Sequence, residues 1–166
     1  MSNLLEKLRK YKDDRGMMAN LRCILVENKK HRAWPALSRL GVEIGSRHDQ
    51  RVTAHVAGLY ATHPEETSNG NFGATCKAIE QKRGDRRGDD NKLTPTERRF
   101  QHLLAAGQEE LFERVMRMVV MAKSHGLPVN YAQLETDLRF WSDRTKTEWA
   151  ASFWTPGTEP IGGEGA

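Results

Sequence analysis

Along almost the whole chain, apolar residues recur at intervals of three and four, and no segment alternates with period two on β-branched residues. Such a chain can bury its apolar stripes only by packing helix on helix, so the expected fold class is all-α, with about eight or nine helices in two small bundles. Leu4, Leu5, Leu8 and Tyr11 line a first helix; Met17, Leu21, Ile24 and Leu25 line a second, with Arg22 turned away from the stripe. In "HRAWPALSRLG", Pro35 suits a helix start and Gly41 a stop. Ser46, with Asp49 three residues on, is expected to open a fourth helix striped by Val52, Val56, Leu59 and Tyr60 and closed before Pro64. Asn71 suits the cap of a fifth, "NFGATCKAIEQKR", which turns Phe72, Cys76 and Ile79 inward.

The stretch "GDRRGDDNK" carries no apolar residue and marks the expected internal boundary. It divides an N-terminal helical bundle, 1–90, from a C-terminal four-helix bundle, 91–156; the Pro/Gly-rich tail 157–166 is expected to be disordered. The second bundle comprises a helix after Thr94, a long one from about Glu109 to His125 stopped by Gly126, one capped by Asn130, and one from Ser142 to Trp154. Leu134, Leu138 and Trp141 are expected to pack against Val115, Val119 and Phe153, and Trp34, Trp149 and Trp154 to be core residues.

The helix start in "KLTPTERRFQHLLAA" is the most fully specified in the chain. Thr94 suits the N-cap, Pro95 the first helical position, and Glu97 the reciprocal place of a capping box. Arg98 and Arg99 then stand at the positive end of the helix dipole, which favours anions, at a cost of a few tenths to about 1 kcal/mol each. Arginines kept at such a position suggest a use other than folding.

With 26 Lys and Arg against 22 Asp and Glu, the formal net charge is +4 and the pI about 9.2, a balance that permits binding to polyanions. No apolar stretch approaches the roughly 20 residues of a membrane span, no signal-peptide block is present, and two cysteines, Cys23 and Cys76, are too few for a disulfide framework. These features imply a cytoplasmic protein without a membrane partner. Nucleophile–base pairs, paired carboxylates and phosphate loops have no convincing match, so the chain is expected not to be an enzyme. His48, His55 and His63 lack the spacing of a metal site, and neither metal nor cofactor is expected. Basic residues interrupt the apolar stripes: Arg114, Arg117 and Lys123 in "ELFERVMRMVVMAKSH", and Arg144 and Lys146 ahead of Trp149. They admit two interpretations, a cationic stripe across neighbouring helices or solvated faces making local pairs such as Glu110 with Arg114 and Glu113 with Arg117.

The segments "NLRCIL", "AWPALSRLG", "VAGLYATHP", "NFGATCKAI", "ERRFQHLLAA", "KSHGLPVNYAQLETDLRFWS" and "WAASFW", in this order, resemble the small subunit of the type I-E CRISPR surveillance complex Cascade, the CasB family. The resemblance runs from about Arg15 to Trp154. It implies a helical, non-catalytic subunit, present as a pair, that contacts the backbone and large subunits of Cascade. It further implies a basic face toward crRNA-guided target DNA and the displaced strand, stabilising the R-loop. By this resemblance the nucleic-acid-binding residues are expected to be Arg22, Arg47, Arg98, Arg99, Arg117, Lys123, Arg144 and Lys146. A purely structural helical adapter, with no direct contact to nucleic acid, is the alternative.

Overall fold

The computed structural model describes residues 3–84 and 92–155; the 85–91 part of the expected boundary and the tail 157–166 lie outside the described residues. Among the described residues there are nine α-helices: α1 (Leu4–Lys10), α2 (Arg15–Arg22), α3 (Trp34–Arg39), α4 (His48–Thr62), α5 (Phe72–Arg83), α6 (Pro95–Ala105), α7 (Gln108–Ser124), α8 (Tyr131–Arg139) and α9 (Asp143–Phe153). The fold is all-α. Its nearest approach to a sheet is an isolated parallel bridge between Glu66 and Val129.

Side-chain caps fix several starts where the sequence places them. Asn71 accepts from the Ala74 N–H at 3.1 Å, Asn130 from Gln133 at 3.1 Å and Ser142 from Thr145 at 3.3 Å. Two boundaries differ from expectation. The stripe from Met17 to Leu25 is not one α-helix: α2 ends at Arg22 and the chain tightens into a 3₁₀ turn over Cys23–Leu25, after which Val26 is extended. The tightened turn presses Ile24 onto α4 at Gly58, where an added Cβ would collide with Ile24 Cγ2. Helix α4 is capped at Arg47 rather than Ser46, because the Gln50 side chain reaches back to accept from the Arg47 N–H at 3.2 Å.

One apolar cluster runs through both sequence halves, from Leu4, Leu8 and Leu21 through Val52, Val56 and Tyr60 to Phe100, Val115, Val119, Leu134, Leu138, Trp149 and Phe153. Helix α4 packs on α2 and α8, and α5 packs on α9. The α5–α9 approach is close because residue 73 has no side chain; a Cβ there would meet the Trp149 backbone carbonyl. Trp149 itself is fully buried, and its Nε1–H donates to Asp137 Oδ2 at 2.7 Å. Tyr131 donates its hydroxyl to the His63 carbonyl at 2.6 Å, closing the C-terminal end of α4.

The tryptophans do not all share Trp149's position. Trp34 is 42% exposed, because the buried stripe of α3 runs through Ala33, Ala36, Leu37 and Leu40 and leaves residue 34 outside it. Trp141 is half-buried: α8 ends at Arg139, so the helical period from Leu134 does not extend to residue 141, and the ring instead lies edge-on against Trp149 at 4.8 Å. Trp154 is also half-buried, beside Phe100 and Phe153.

Two outcomes follow for chemical denaturation. Gly73→Ala is expected to lower stability by about 3 kcal/mol, since backbone rather than a pliable side chain occupies the space. Trp149→Ala is expected to cost about 3–5 kcal/mol and Trp141→Ala less than half of that, measured as the shift in urea midpoint at constant m.

Candidate nucleic-acid interface

Helix α6 begins on a buried carboxylate. Glu97 is 2% exposed; its Oε1 accepts from the Thr94 N–H at 2.8 Å while the Thr94 hydroxyl oxygen accepts from the Glu97 N–H at 3.0 Å, completing the capping box. Oε2 accepts from Trp154 Nε1 at 2.7 Å, and the Thr94 hydroxyl donates to Glu80 of α5 at 2.7 Å. The start of α6 is therefore tied to α5 and to the end of α9, and the next two side chains, Arg98 and Arg99, are carried outward by the helical turn. Arg98 curls back to donate from Nη2 to the Leu93 carbonyl at 3.2 Å. Arg99 has no acidic partner among the described residues and faces a groove.

That groove, about 430 Å³, is lined by Arg83 from the last turn of α5, Arg99 from α6, and Arg114 and Arg117 from α7, over Met116, Met118, Val120 and Met121. The structure thus brings together two of the residues expected from the sequence, Arg99 and Arg117, and adds Arg83 and Arg114. Arg114 was legible as a residue three before Arg117 on one helix face; Arg83 had only its place in a helix's last turn as a signal. The local pairs also form: Arg114 Nη2 lies 3.2 Å from Glu110 Oε1, and Arg117 Nη2 2.9 Å from Glu113 Oε2. Both are solvent-accessible i, i+4 pairs, worth a few tenths of a kcal/mol, so a phosphate can displace the carboxylates at small cost.

The other expected residues lie elsewhere. Arg22, on α2, donates to the Ala61 carbonyl at 3.1 Å. Arg47, at the cap of α4, pairs with Asp49 at 3.2 Å and Glu43 at 3.6 Å; its hydrogen bond holds the Asp49 carboxyl below the ordinary aspartate value. Arg144 pairs with Glu148 at 3.3 Å on α9, and Lys146 stands 5.9 Å from the Trp141 ring centroid. Lys123 is exposed near the end of α7.

The two histidines on α4 and His63 at its C-cap are engaged in the fold. His48 Nε2 donates to the Leu138 carbonyl at 2.7 Å and His63 Nε2 to Leu127 at 2.6 Å, pinning both ends of α4 to the α7–α8 region, while His55 Nδ1 donates to Arg51 at 2.9 Å. Among the described residues no group of three or more His, Cys, Asp or Glu is placed to hold a metal ion, and no helix is long and apolar enough to cross a membrane.

The class defined by these features is a compact all-α protein with a guanidinium-lined surface groove. The family model for CRISPR-associated protein Cse2 matches residues 17–154, most of the chain, which belongs to that family and is so a component of Cascade. Solved structures share the fold. A Cse2-family CRISPR-associated protein from Thermus thermophilus is similar with a TM-score of 0.73 at 18% identity, covering 92% of this chain and 96% of its own. CasB from M. ruber gives 0.62 at 22%, over 91% and 92%, and CasB from Thermobifida fusca 0.64 at 17%, over 90% and 94%. No curated protein sequence matches the chain.

His55 generates a pH prediction. Burial lowers its pKa, outweighing the hydrogen bond to the Arg51 carbonyl, and the ring stacks on Phe112 at 4.3 Å. As pH falls through the unfolded value of about 6.5, the unfolded chain takes up a proton that the folded chain resists, so stability declines below that pH and is whole above it. Between pH 7 and 5.5 the urea midpoint of His55→Gln is expected to fall less steeply than that of the unsubstituted chain.

Proposed function

We propose that this chain is the non-catalytic small subunit of Cascade, which uses its groove of arginines to hold the phosphate backbone of target and displaced DNA and so prolongs the R-loop. The observation that carries this function is the convergence of Arg83, Arg99, Arg114 and Arg117 from three helices on one solvent-facing groove. Guanidinium forks suit phosphate oxygens, and in an RNA-guided complex base pairing reads the sequence, so backbone contacts suffice. Arg22, Arg47, Arg98, Lys123, Arg144 and Lys146 extend the cationic surface beyond the groove, where partner subunits and a second copy complete it. The capping box makes the assignment economical: Thr94, Pro95 and Glu97 specify the helix, and Arg98 and Arg99 are left to bind.

The adapter alternative draws on the same carboxylates, since Arg47, Arg114, Arg117 and Arg144 already have acidic neighbours. One experiment separates the two. In reconstituted Cascade, Arg99→Ala with Arg117→Ala is expected to leave assembly and the subunit's melting temperature unchanged, to weaken target-duplex binding about tenfold or more at low salt, and to reduce the slope of log K against log salt by about 2. Loss of co-purification with normal DNA binding by the remaining complex would instead establish an adapter.

A further inference from the structure

The floor of the groove is apolar. On α7, Arg114 and Arg117 share a face with Val120 and Met121, at the i, i+3, i+6 and i+7 positions, while Val115 and Val119 point into the core at 0% exposure. Val120 is 46% exposed, and Met116 and Met121 are half-buried along the same groove. Phosphate contacts alone give no reason to keep valine and methionine in water beside the guanidinium groups, since a duplex presents only its charged backbone to such a surface. A strand whose bases are unpaired presents apolar faces as well. Thioethers are polarizable and adapt to any ring, and planar guanidinium groups stack on it, so this combination holds a base without reading its identity. The volume, about 430 Å³, falls in the range that encloses a small ligand and is far too small for a duplex.

We infer that the groove is a single-nucleotide seat: Arg99, Arg114 and Arg117 hold the phosphates of an unpaired strand while Met116, Val120 and Met121 receive one of its bases. This rests on the nucleic-acid function proposed above and adds to it a preference for single strands that originates in the floor rather than in charge.

The test uses the full chain with three fluorescent DNA probes of equal phosphate number: a single-stranded oligothymidylate, the same strand with abasic residues throughout its centre, and a hairpin duplex. Val120→Ser combined with Met121→Gln is expected to weaken the oligothymidylate about fivefold while leaving the duplex, the abasic strand and the salt slope unchanged. Val120→Thr with Met121→Leu, which nearly conserves volume, guards against a folding defect and is expected to lose less than twofold, with far-ultraviolet circular dichroism matching for both variants. Equal binding of the oligothymidylate and the abasic strand by the unsubstituted chain overturns the seat, as does an unchanged oligothymidylate affinity for Val120→Ser with Met121→Gln. So does that double substitution if it binds all three probes normally but no longer joins Cascade, since the floor would then belong to a protein partner. The underlying function fails separately, and visibly, if Arg99→Ala with Arg117→Ala leaves all three probes bound as before.

Discussion

The buried carboxylate of Glu97 holds together the part of the molecule on which the candidate groove depends. Set at the third position of α6, it accepts from the Thr94 amide and from the Trp154 indole, while Thr94 donates to Glu80. Three helices that diverge in sequence are locked at one point. Hydrogen bonds that replace its hydration, and the positive end of the helix dipole beside it, help to make a buried carboxylate tolerable. The electrostatic favour that arginines forgo at a helix N-terminus is supplied by Glu97, and the two cations that follow it are left at the surface.

Around that point the core is assembled by close approaches rather than by bulk alone. Gly73 lets α5 reach the Trp149 backbone, Gly58 lets the Cys23–Leu25 turn reach α4, and Tyr131, His48 and His63 fasten α4 to the segment from Leu127 to Leu138. Buried polar groups of this kind are costly when unpaired, so each connection also selects one arrangement of the helices over its neighbours. Helices α5, α6 and α7 pack on one another, and that packing sets the distances between arginines carried on different helices.

The weak pairing of those arginines is part of how the surface behaves. Glu110 and Glu113 sit one turn before Arg114 and Arg117 on an exposed face, where such pairs contribute little and exchange readily. The groove is therefore moderated rather than neutralised, in keeping with a formal net charge of only +4. A protein designed to bind any polyanion tightly would carry far more.

Much of the fold was legible because helices are local objects. The 3.6-residue period, Thr94 with Glu97, Asn71, Asn130, Ser142 and the stops at Gly41 and Gly126 each depend on residues within a turn or two of one another, and the sequence by itself determined them. Likewise the resemblance that places the chain in the Cse2 family rests on ordered local motifs. The misplaced elements were those whose outcome depends on neighbours distant in sequence: the 3₁₀ turn that Ile24 makes against Gly58, the exposure of Trp34, and the half-burial of Trp141. The same holds for the candidate groove. Arg117 and Arg99 were named from the sequence, and Arg114 shares a helix face with Arg117 by spacing alone, but only tertiary structure brought that α7 face together with Arg99 and Arg83, because the relative positions of α5, α6 and α7 are set by what packs between helices and not by any spacing along the chain.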